Sequence, residues 1–118
     1  MVIVAVDPNK RDLKRLVKCL RMAFPGCEVV VFTDPEAAAD YTRDHPVDAL
    51  YTEAAMLGIT GFDLQAAVKA TQPAVLTVFV TATDAYAGDA IKTRAQGYVI
   101  KPVARKKVRE SMCETKFA

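Results

Sequence analysis

The segment MVIVAVDPN, residues 1–9, decides the fold class at the level of sequence. Val2 to Val6 is a short, continuous apolar run, rich in β-branched residues, which is typical of a parallel strand buried on both faces. Pro8 ends this strand, and Asn9 is a suitable N-cap for a helix that follows. The segment therefore predicts a buried strand that leads directly into a helix.

The same strand-then-helix order recurs along the rest of the chain. The predicted strands are Val2 to Val6, Glu28 to Phe32, Asp48 to Thr52, Val75 to Val80 and Tyr98 to Ile100. The predicted helices run from Asn9 to about Phe24, from Pro35 to about His45 with Thr33 or Asp34 as cap, from Gly61 to about Thr71, from Asp84 to Ala95, and onward from Ala104. Such alternation predicts a (βα)5 α/β sandwich: a parallel five-stranded sheet with helices on both faces and right-handed crossovers.

Length and composition limit the class of protein. A chain of 118 residues fits one domain, so we expect a single domain over residues 1–118. With 52% hydrophobic and 25% charged residues, the chain is too apolar for intrinsic disorder. Uncharged apolar stretches such as residues 74–83 are far shorter than the roughly 20 residues of a spanning helix, and residues 1–6 lack signal-peptide features. We expect a cytoplasmic protein with no membrane partner.

The cysteines and the single histidine do not indicate a metal site, a disulfide or a catalytic role. The three cysteines, Cys19, Cys27 and Cys113, are an odd number without CxxC spacing, so we predict reduced thiols and neither a disulfide framework nor a zinc site. His45 is the only histidine, and it stands beside Pro46 at a predicted helix end, where a surface role is expected.

A net charge of +2 conceals a basic stripe on the first predicted helix. At roughly 100° per residue, its six basic side chains fall within an arc of about 140°, opposite its apolar side chains. These basic residues are Lys10, Arg11, Lys14, Arg15, Lys18 and Arg21. One interpretation is a solvated face, and the other is a site for an acidic partner or nucleic acid. In the strand order 2-1-3-4-5 the last helix adds Arg105, Lys106, Lys107 and Arg109 to this face.

Polar side chains end or follow four of the predicted strands. They are Asp7, Glu53, Thr81 and Lys101, and the carboxyl ends of parallel strands meet at one edge of a sheet. Each alone has a structural explanation as a cap, a solvated loop residue or a paired charge. Together they indicate a functional cluster. Motifs of the forms GxGxxG, GxxxxGK[ST] and GxSxG are missing, which argues against nucleotide binding and serine hydrolase chemistry.

Five sequence segments together resemble the receiver domain of two-component response regulators over essentially the whole chain. The segments are VAVDPN (4–9), VDALYTE (47–53), MLGITGFDL (56–64), VFVTA (78–82) and GYVIKP (97–102). The spacing of the last two is most similar to receivers of the LytTR class, which precede a DNA-binding domain that these 118 residues do not contain.

The resemblance implies a flavodoxin-like (βα)5 three-layer sandwich of strand order 2-1-3-4-5 and a signalling module that is not an enzyme. It places Glu53 at the phosphoacceptor position and Asp7 in the acidic pocket, with Thr81, Tyr98, Lys101 and Pro102 at the family's switch and lysine–proline positions. In the family the lysine–proline bond is commonly cis, an isomer that proline makes accessible. Whether the Tyr98 ring points inward or outward stays open.

Two departures from the family pattern affect the chemistry. The acceptor is Glu53 in place of aspartate, and the second acid after the first strand, the family's main magnesium ligand, is Pro8. Asp7, Glu53 and the Ala55 carbonyl remain as candidate ligands, so we expect weak Mg²⁺ binding or none, and no other cofactor. A carboxylate displaced by about 1.5 Å is badly placed for in-line phosphoryl transfer. A second hypothesis is that the Glu53 carboxylate imitates the phosphoryl group by contacting Lys101.

The leading hypothesis is an atypical receiver, a pseudo-receiver, that binds a protein partner independently of phosphorylation. The alternatives are a receiver still phosphorylated by a histidine kinase or small phosphodonor, and the regulatory half of a DNA-binding transcription regulator. Expected partners are a histidine kinase or an output domain, with DNA reached only through such a domain. The family also implies a homodimer through the fourth helix, fifth strand and fifth helix. A flavin or nucleotide pocket is a weaker alternative because no phosphate-binding loop is visible.

Overall fold

The computed structural model describes residues 1–112, and within them strands and helices alternate strictly. In chain order the elements are β1 (Val2–Val6), α1 (Lys10–Ala23), β2 (Glu28–Phe32), α2 (Pro35–Asp44), β3 (Ala49–Thr52), α3 (Gly61–Thr71), β4 (Leu76–Thr81), α4 (Ala87–Lys92), β5 (Gly97–Ile100) and α5 (Arg105–Glu110). None of these helices is long and apolar enough to cross a membrane. Cys113 lies outside the described residues.

The five strands form one parallel sheet in the order β2-β1-β3-β4-β5. Val4 at the centre of β1 pairs with Val30 of β2 and Leu50 of β3. All three side chains are apolar, as expected for strands that helices cover on both faces. The prediction of a flavodoxin-like (βα)5 sandwich with this strand order is confirmed.

Alternate residues of β1 enter two different cores. Ile3 and Ala5 pack with α1 and α5 on one face of the sheet. Val4 and Val6 pack with α2 and α3 on the other face. This period of two follows from the strand pleat, and it places α1 and α2 on opposite faces of the same pair of strands.

Helix capping follows the sequence closely at the first two helices. The Asn9 side chain accepts a hydrogen bond from the Asp12 amide, as predicted for the start of α1. Of the two candidate caps for α2, Asp34 is the one used, since its carboxylate accepts from the Glu36 amide at 3.0 Å.

The fourth helix is shorter than predicted. The sequence suggested Asp84 to Ala95, whereas α4 covers only Ala87–Lys92. The preceding residues form turns instead, because the Thr83 hydroxyl accepts from the Ala85 amide and the Ala87 amide donates to the Asp84 carbonyl. The helix then ends before Arg94, whose φ of 60° is left-handed.

Strand boundaries differ from the predicted ones by one residue. The third strand begins at Ala49, and the side chain of the preceding Asp48 accepts from the Val2 amide at 2.7 Å. The fourth is Leu76–Thr81 in place of Val75 to Val80, which brings Thr81 into the strand itself. The fifth strand starts at Gly97, one residue earlier than predicted, because Gly97 pairs with Val78 of β4.

Gly61 begins α3 where the chain leaving β3 passes against it. A side-chain carbon at Gly61 would collide with the carbonyl oxygen of Glu53 and lie 3.0 Å from the Ala54 Cα. The Gly61 amide also donates to the Ala54 carbonyl at 2.9 Å. Glycine is therefore needed for this close approach, which fixes the backbone that carries Glu53.

We predict that Gly61→Ala lowers the free energy of unfolding by about 2–3 kcal/mol, because backbone must move to admit the methyl group. Gly88→Ala is the matched control, since Gly88 of α4 has open space around it. That control should stabilise the protein by about 0.5–1 kcal/mol through helix propensity. Urea unfolding of both variants measures the difference, and equal effects would contradict the close-approach argument.

Tyr51 of β3 connects the sheet to the end of α5. Its ring is fully buried, and its hydroxyl donates to Ser111 Oγ at 2.8 Å. Ser111 in turn donates to the Val108 carbonyl. Burial raises the pKa of Tyr51 to about 12, although the Ser111 hydrogen bond pulls the pKa down.

Stability should therefore fall at alkaline pH. Because the folded chain holds the Tyr51 proton more tightly than the unfolded one, this contribution is complete below pH 10 and is lost as the pH rises to about 12. The expected loss is about 2–3 kcal/mol. The free energy of unfolding of Tyr51→Phe should fall correspondingly less over the same pH range, as measured by urea unfolding at a series of pH values. A loss as large as that of the unsubstituted protein would rule out Tyr51 as its source.

Candidate functional site

The predicted polar residues lie together at the carboxyl edge of the sheet. Backbone hydrogen bonds hold three of them in place: the Asp7 amide donates to the Phe32 carbonyl at 3.1 Å, the Glu53 amide to Val6 at 3.0 Å and the Lys101 amide to Thr81 at 2.8 Å. Each side chain thus starts where a strand ends. The sheet, and not a flexible loop, sets the geometry of the cluster.

The Lys101 ammonium lies between three carboxylates. Its Nζ is 2.8 Å from Asp7 Oδ2, 2.9 Å from Asp12 Oδ2 and 2.9 Å from Glu53 Oε1. An ammonium has three N–H donors, so this set uses all of them. Only 15% of the Lys101 side chain is exposed, which makes these charge-assisted hydrogen bonds stronger than ordinary surface pairs.

The remaining oxygens of Asp7 and Glu53 are bound to backbone amides. Asp7 Oδ1 accepts from the Asn9 amide at 2.9 Å. Glu53 Oε2 accepts from the Ala54 amide at 2.6 Å and from the Ala55 amide at 3.2 Å. Both oxygens of each carboxylate are therefore engaged, and neither side chain is left free to turn toward another ligand.

Burial and pairing have separable effects on the pKa values of Asp7 and Lys101. Burial raises the pKa of Asp7, and the hydrogen bond from Lys101 offsets only part of that rise. Burial lowers the pKa of Lys101, but its hydrogen bonds to the three carboxylates outweigh burial and hold the pKa well above its ordinary value. Lys101 is therefore positively charged at neutral pH.

Asp12 is the member of the cluster that the sequence argument missed. It lies in the first turn of α1, where the favourable interaction of an acid with the helix dipole is a sufficient explanation for its presence. One feature of the sequence could have identified Asp12: it is the only acidic residue among the six basic residues of the stripe. The Asn9 cap fixes the first turn so that Asp12 reaches Lys101 from the α1 side.

Thr81, Tyr98 and Pro102 lie near the cluster without entering it. Thr81 is buried, yet its hydroxyl forms no hydrogen bond with the other described residues, Lys101 included. The half-buried Tyr98 donates its hydroxyl to the Thr83 carbonyl at 2.6 Å and packs beside the Phe79 cluster. Burial raises the pKa of Tyr98. The Lys101–Pro102 bond is cis, as the family resemblance implied.

The three candidate magnesium ligands do not form an open cation site. The Asp7 and Glu53 oxygens are taken by Lys101 and by backbone amides, and Pro8 offers no side-chain oxygen. Over residues 1–112 no group of three or more His, Cys, Asp or Glu side chains has the arrangement to hold a metal ion. The residues present therefore do not fit Mg²⁺, which prefers an octahedron of oxygen ligands.

Comparison with protein families accounts for this arrangement. The family model "Response regulator receiver domain" matches residues 3–112. The chain belongs to this family. As a receiver domain it is a module of two-component signal transduction, and the edge cluster and the cis lysine–proline bond both lie within the matched range.

Known relatives of this receiver domain are distant in sequence. Sensory transduction protein LytT of Bacillus subtilis (strain 168) is 26% identical over 110 residues, which are 93% of this chain but 46% of LytT. The chain thus spans less than half of that relative.

Solved structures match the fold more closely than the sequence. The response regulatory domain of mrkE from Klebsiella pneumoniae aligns with a TM-score of 0.84 at 19% identity, over 95% of this chain and 92% of that one. The receiver domain of sensor histidine kinase PA1611 from Pseudomonas aeruginosa PAO1, with magnesium coordinated in its active site cleft, aligns with a TM-score of 0.80 at 17% identity over 94% and 93%. These likenesses establish the fold alone.

Removing the central cation should leave three acids facing one another. We predict that Lys101→Met lowers the free energy of unfolding by about 2–4 kcal/mol at neutral pH. Burial already raises the pKa of Asp7, and loss of the Lys101 hydrogen bond raises it further, so the folded state takes up a proton and the deficit shrinks as the pH falls toward about 4.

Lys107→Met is the matched control, since the exposed Lys107 ammonium only donates to the Ile100 carbonyl at 3.2 Å. That substitution should cost less than about 1 kcal/mol at either pH. Urea unfolding at both pH values measures the effect. A Lys101→Met deficit that stays constant with pH would contradict the paired-charge account of the cluster.

Proposed function

We propose that this chain is an atypical receiver domain that binds a protein partner without being switched by phosphorylation, with Glu53 in the acceptor position. The observation that carries the proposal is the 2.9 Å contact between Glu53 Oε1 and Lys101 Nζ. It joins the residue at the acceptor position to the residue at the family's lysine position. Enzymatic activity is not part of this role.

The carboxylate of Glu53 is badly placed to act as a phosphoryl acceptor. One oxygen is held by Lys101 and the other by the Ala54 and Ala55 amides. Phosphoryl transfer depends on a free nucleophilic oxygen in line with the leaving group and on donors that stabilise the transferred oxygens. Here the nucleophile occupies those donors itself, so transfer must first break its own hydrogen bonds.

The lost acid at Pro8 weakens metal assistance as well. Mg²⁺ neutralises phosphoryl charge in such transfers and prefers carboxylate and carbonyl oxygens as ligands. In this chain Lys101 binds Asp7 and Asp12 directly. The positive charge that neutralises the acids is therefore the chain's own ammonium.

Glu53 also resembles a phosphoryl group in what it binds. Its longer side chain carries negative charge out to the Lys101 ammonium and to the Ala55 amide, two donors of the kind that bind phosphoryl oxygens. We infer that the cluster holds one conformation permanently. The hydrogen bond from the Tyr98 hydroxyl to the Thr83 carbonyl supports an inward, fixed ring at the family's aromatic position.

The partner of this surface is proposed to be a protein. The likeness to the sensory transduction protein LytT, of which the chain spans 46%, favours a regulator in which the receiver acts on an attached output domain. Contact with DNA would then belong to that output domain. A histidine kinase is the other proposed partner, and it would bind without transferring phosphate.

The test is to offer the chain phosphate from a small phosphodonor. We predict that the protein, incubated with Mg²⁺ and acetyl phosphate, gains no phosphoryl mass by intact mass spectrometry. Beryllofluoride should leave the amide NMR signals of Glu53, Thr81 and Lys101 in place. A Pro8→Asp, Glu53→Asp double variant should respond to both reagents, because it restores a ligand and shortens the acceptor.

Two results would contradict the proposal. Phosphoryl mass on the unsubstituted protein that disappears in Glu53→Gln would show a working acceptor and favour the phosphorylated alternative. A double variant that keeps its folded amide spectrum but responds to neither reagent would show that Pro8 and Glu53 are not what disables the site.

A further inference from the structure

An open groove runs along the side of α1 that faces the edge strand β2. It has a volume of about 570 Å³ and is lined by Lys10, Leu13, Lys14, Val17, Lys18, Arg21, Met22 and Val31. Met22 and Val31 are 44% and 47% exposed, which is high for apolar side chains that lie side by side. The groove thus has an apolar floor that the described part of the chain leaves uncovered.

The charged residues lining the groove are all cations. Lys10, Lys14 and Lys18 recur every four residues along α1, and Arg21 continues their row. Side chains four apart lie about 6 Å apart along a helix axis. A partner surface complementary to this groove therefore needs acidic side chains at the same spacing and apolar side chains that contact the groove floor.

The chain carries such a row on its own second helix. Glu36, Asp40 and Asp44 of α2 are exposed and also recur every four residues. Both helices follow a strand of the same parallel sheet, so both begin at its carboxyl edge. They cover opposite faces beside β2, which pairs only with β1 among the described strands.

We propose that β2 is the edge of a symmetric homodimer, with a second copy of this chain as the occupant of the groove. A two-fold axis parallel to β2 keeps the strand direction and exchanges the faces of the sheet. It therefore places α1 of each copy beside α2 of the other, with the two helices running in the same direction. Lys10, Lys14 and Lys18 then follow the same spacing as the acids of the second copy.

Apolar surface is available on both sides of this contact. The exposed Met22 and Val31 lie on the α1 side of the edge. On the α2 side the partly buried rings of Phe32 and Tyr41 pack with centroids 5.4 Å apart. The proposed axis brings the aliphatic side of one copy against the aromatic side of the other, where apolar burial supplies most of the affinity.

Electrostatics should make this pairing sensitive to salt and of modest affinity. Exposed ion pairs contribute little individually, and Asp40 already contacts Arg43 at 2.9 Å within its own helix. The interaction does not involve Glu53 or Lys101. Failure of the dimer and failure of the proposed function are thus separate outcomes, and Glu53→Gln should leave self-association unchanged.

The experiment is sedimentation equilibrium of the chain at rising concentration, with charge reversals on each helix. Lys14→Glu and Asp40→Lys should each weaken self-association at least about tenfold, because each places like charges opposite one another. Mixing the two variants should restore a dimer, since one contact regains opposite charges and the other is unsubstituted. Ile91→Glu on α4, where Ile91 is 57% exposed, is the control and should have no effect.

Several outcomes would overturn the proposal. A monomer at concentrations up to about 1 mM excludes a useful self-affinity. A dimer that ignores both reversals but is lost in Ile91→Glu pairs through the fourth helix, fifth strand and fifth helix instead. Two variants that fail to restore each other's pairing while their amide spectra show folded protein would exclude contact between α1 and α2. In either of the last two cases the groove belongs to a different acidic partner.

Discussion

The structure of the site depends on one buried ammonium that neutralises three carboxylates. Asp7 follows β1, Asp12 lies on α1 and Glu53 follows β3. Among residues 1–112 only Lys101, which follows the edge strand β5, lies within hydrogen-bond distance of them all. Removing charges from water is costly unless they are paired and hydrogen-bonded, so the acids and the lysine require one another. The strands that carry them are in turn held in register at this edge.

This mutual requirement explains why two unusual residues occur in the same receiver. Pro8 offers no side-chain oxygen to a metal ion, and the Glu53 carboxylate contacts the lysine directly at 2.9 Å. Asp12 supplies a further carboxylate from the helix side. Under the proposed function the two changes act in one direction: charge balance is achieved within the chain and not through a bound metal ion and phosphate.

Sequence patterns predicted the sheet because its signals are local and repeated. Buried strands, helix caps and the breakers between them predicted the order of the elements. Asn9 and Asp34 cap α1 and α2, as their side-chain chemistry predicted. The extent of α4 was missed because competing turns at Thr83 and Asp84 are as favourable locally as a helix. Asp12 was missed because its role depends on the distance between α1 and Lys101, which packing sets.

The most direct measurement of the central claim is the ¹⁵N NMR spectrum of the Lys101 ammonium at neutral pH. A side chain whose three N–H donors are all bound to carboxylates should exchange its protons slowly with water and give an observable signal, which Glu53→Gln should shift or broaden. A Lys101 ammonium that exchanges as fast as the exposed lysines, or that is unaffected by Glu53→Gln, would contradict the account of a receiver held in place by its own charges.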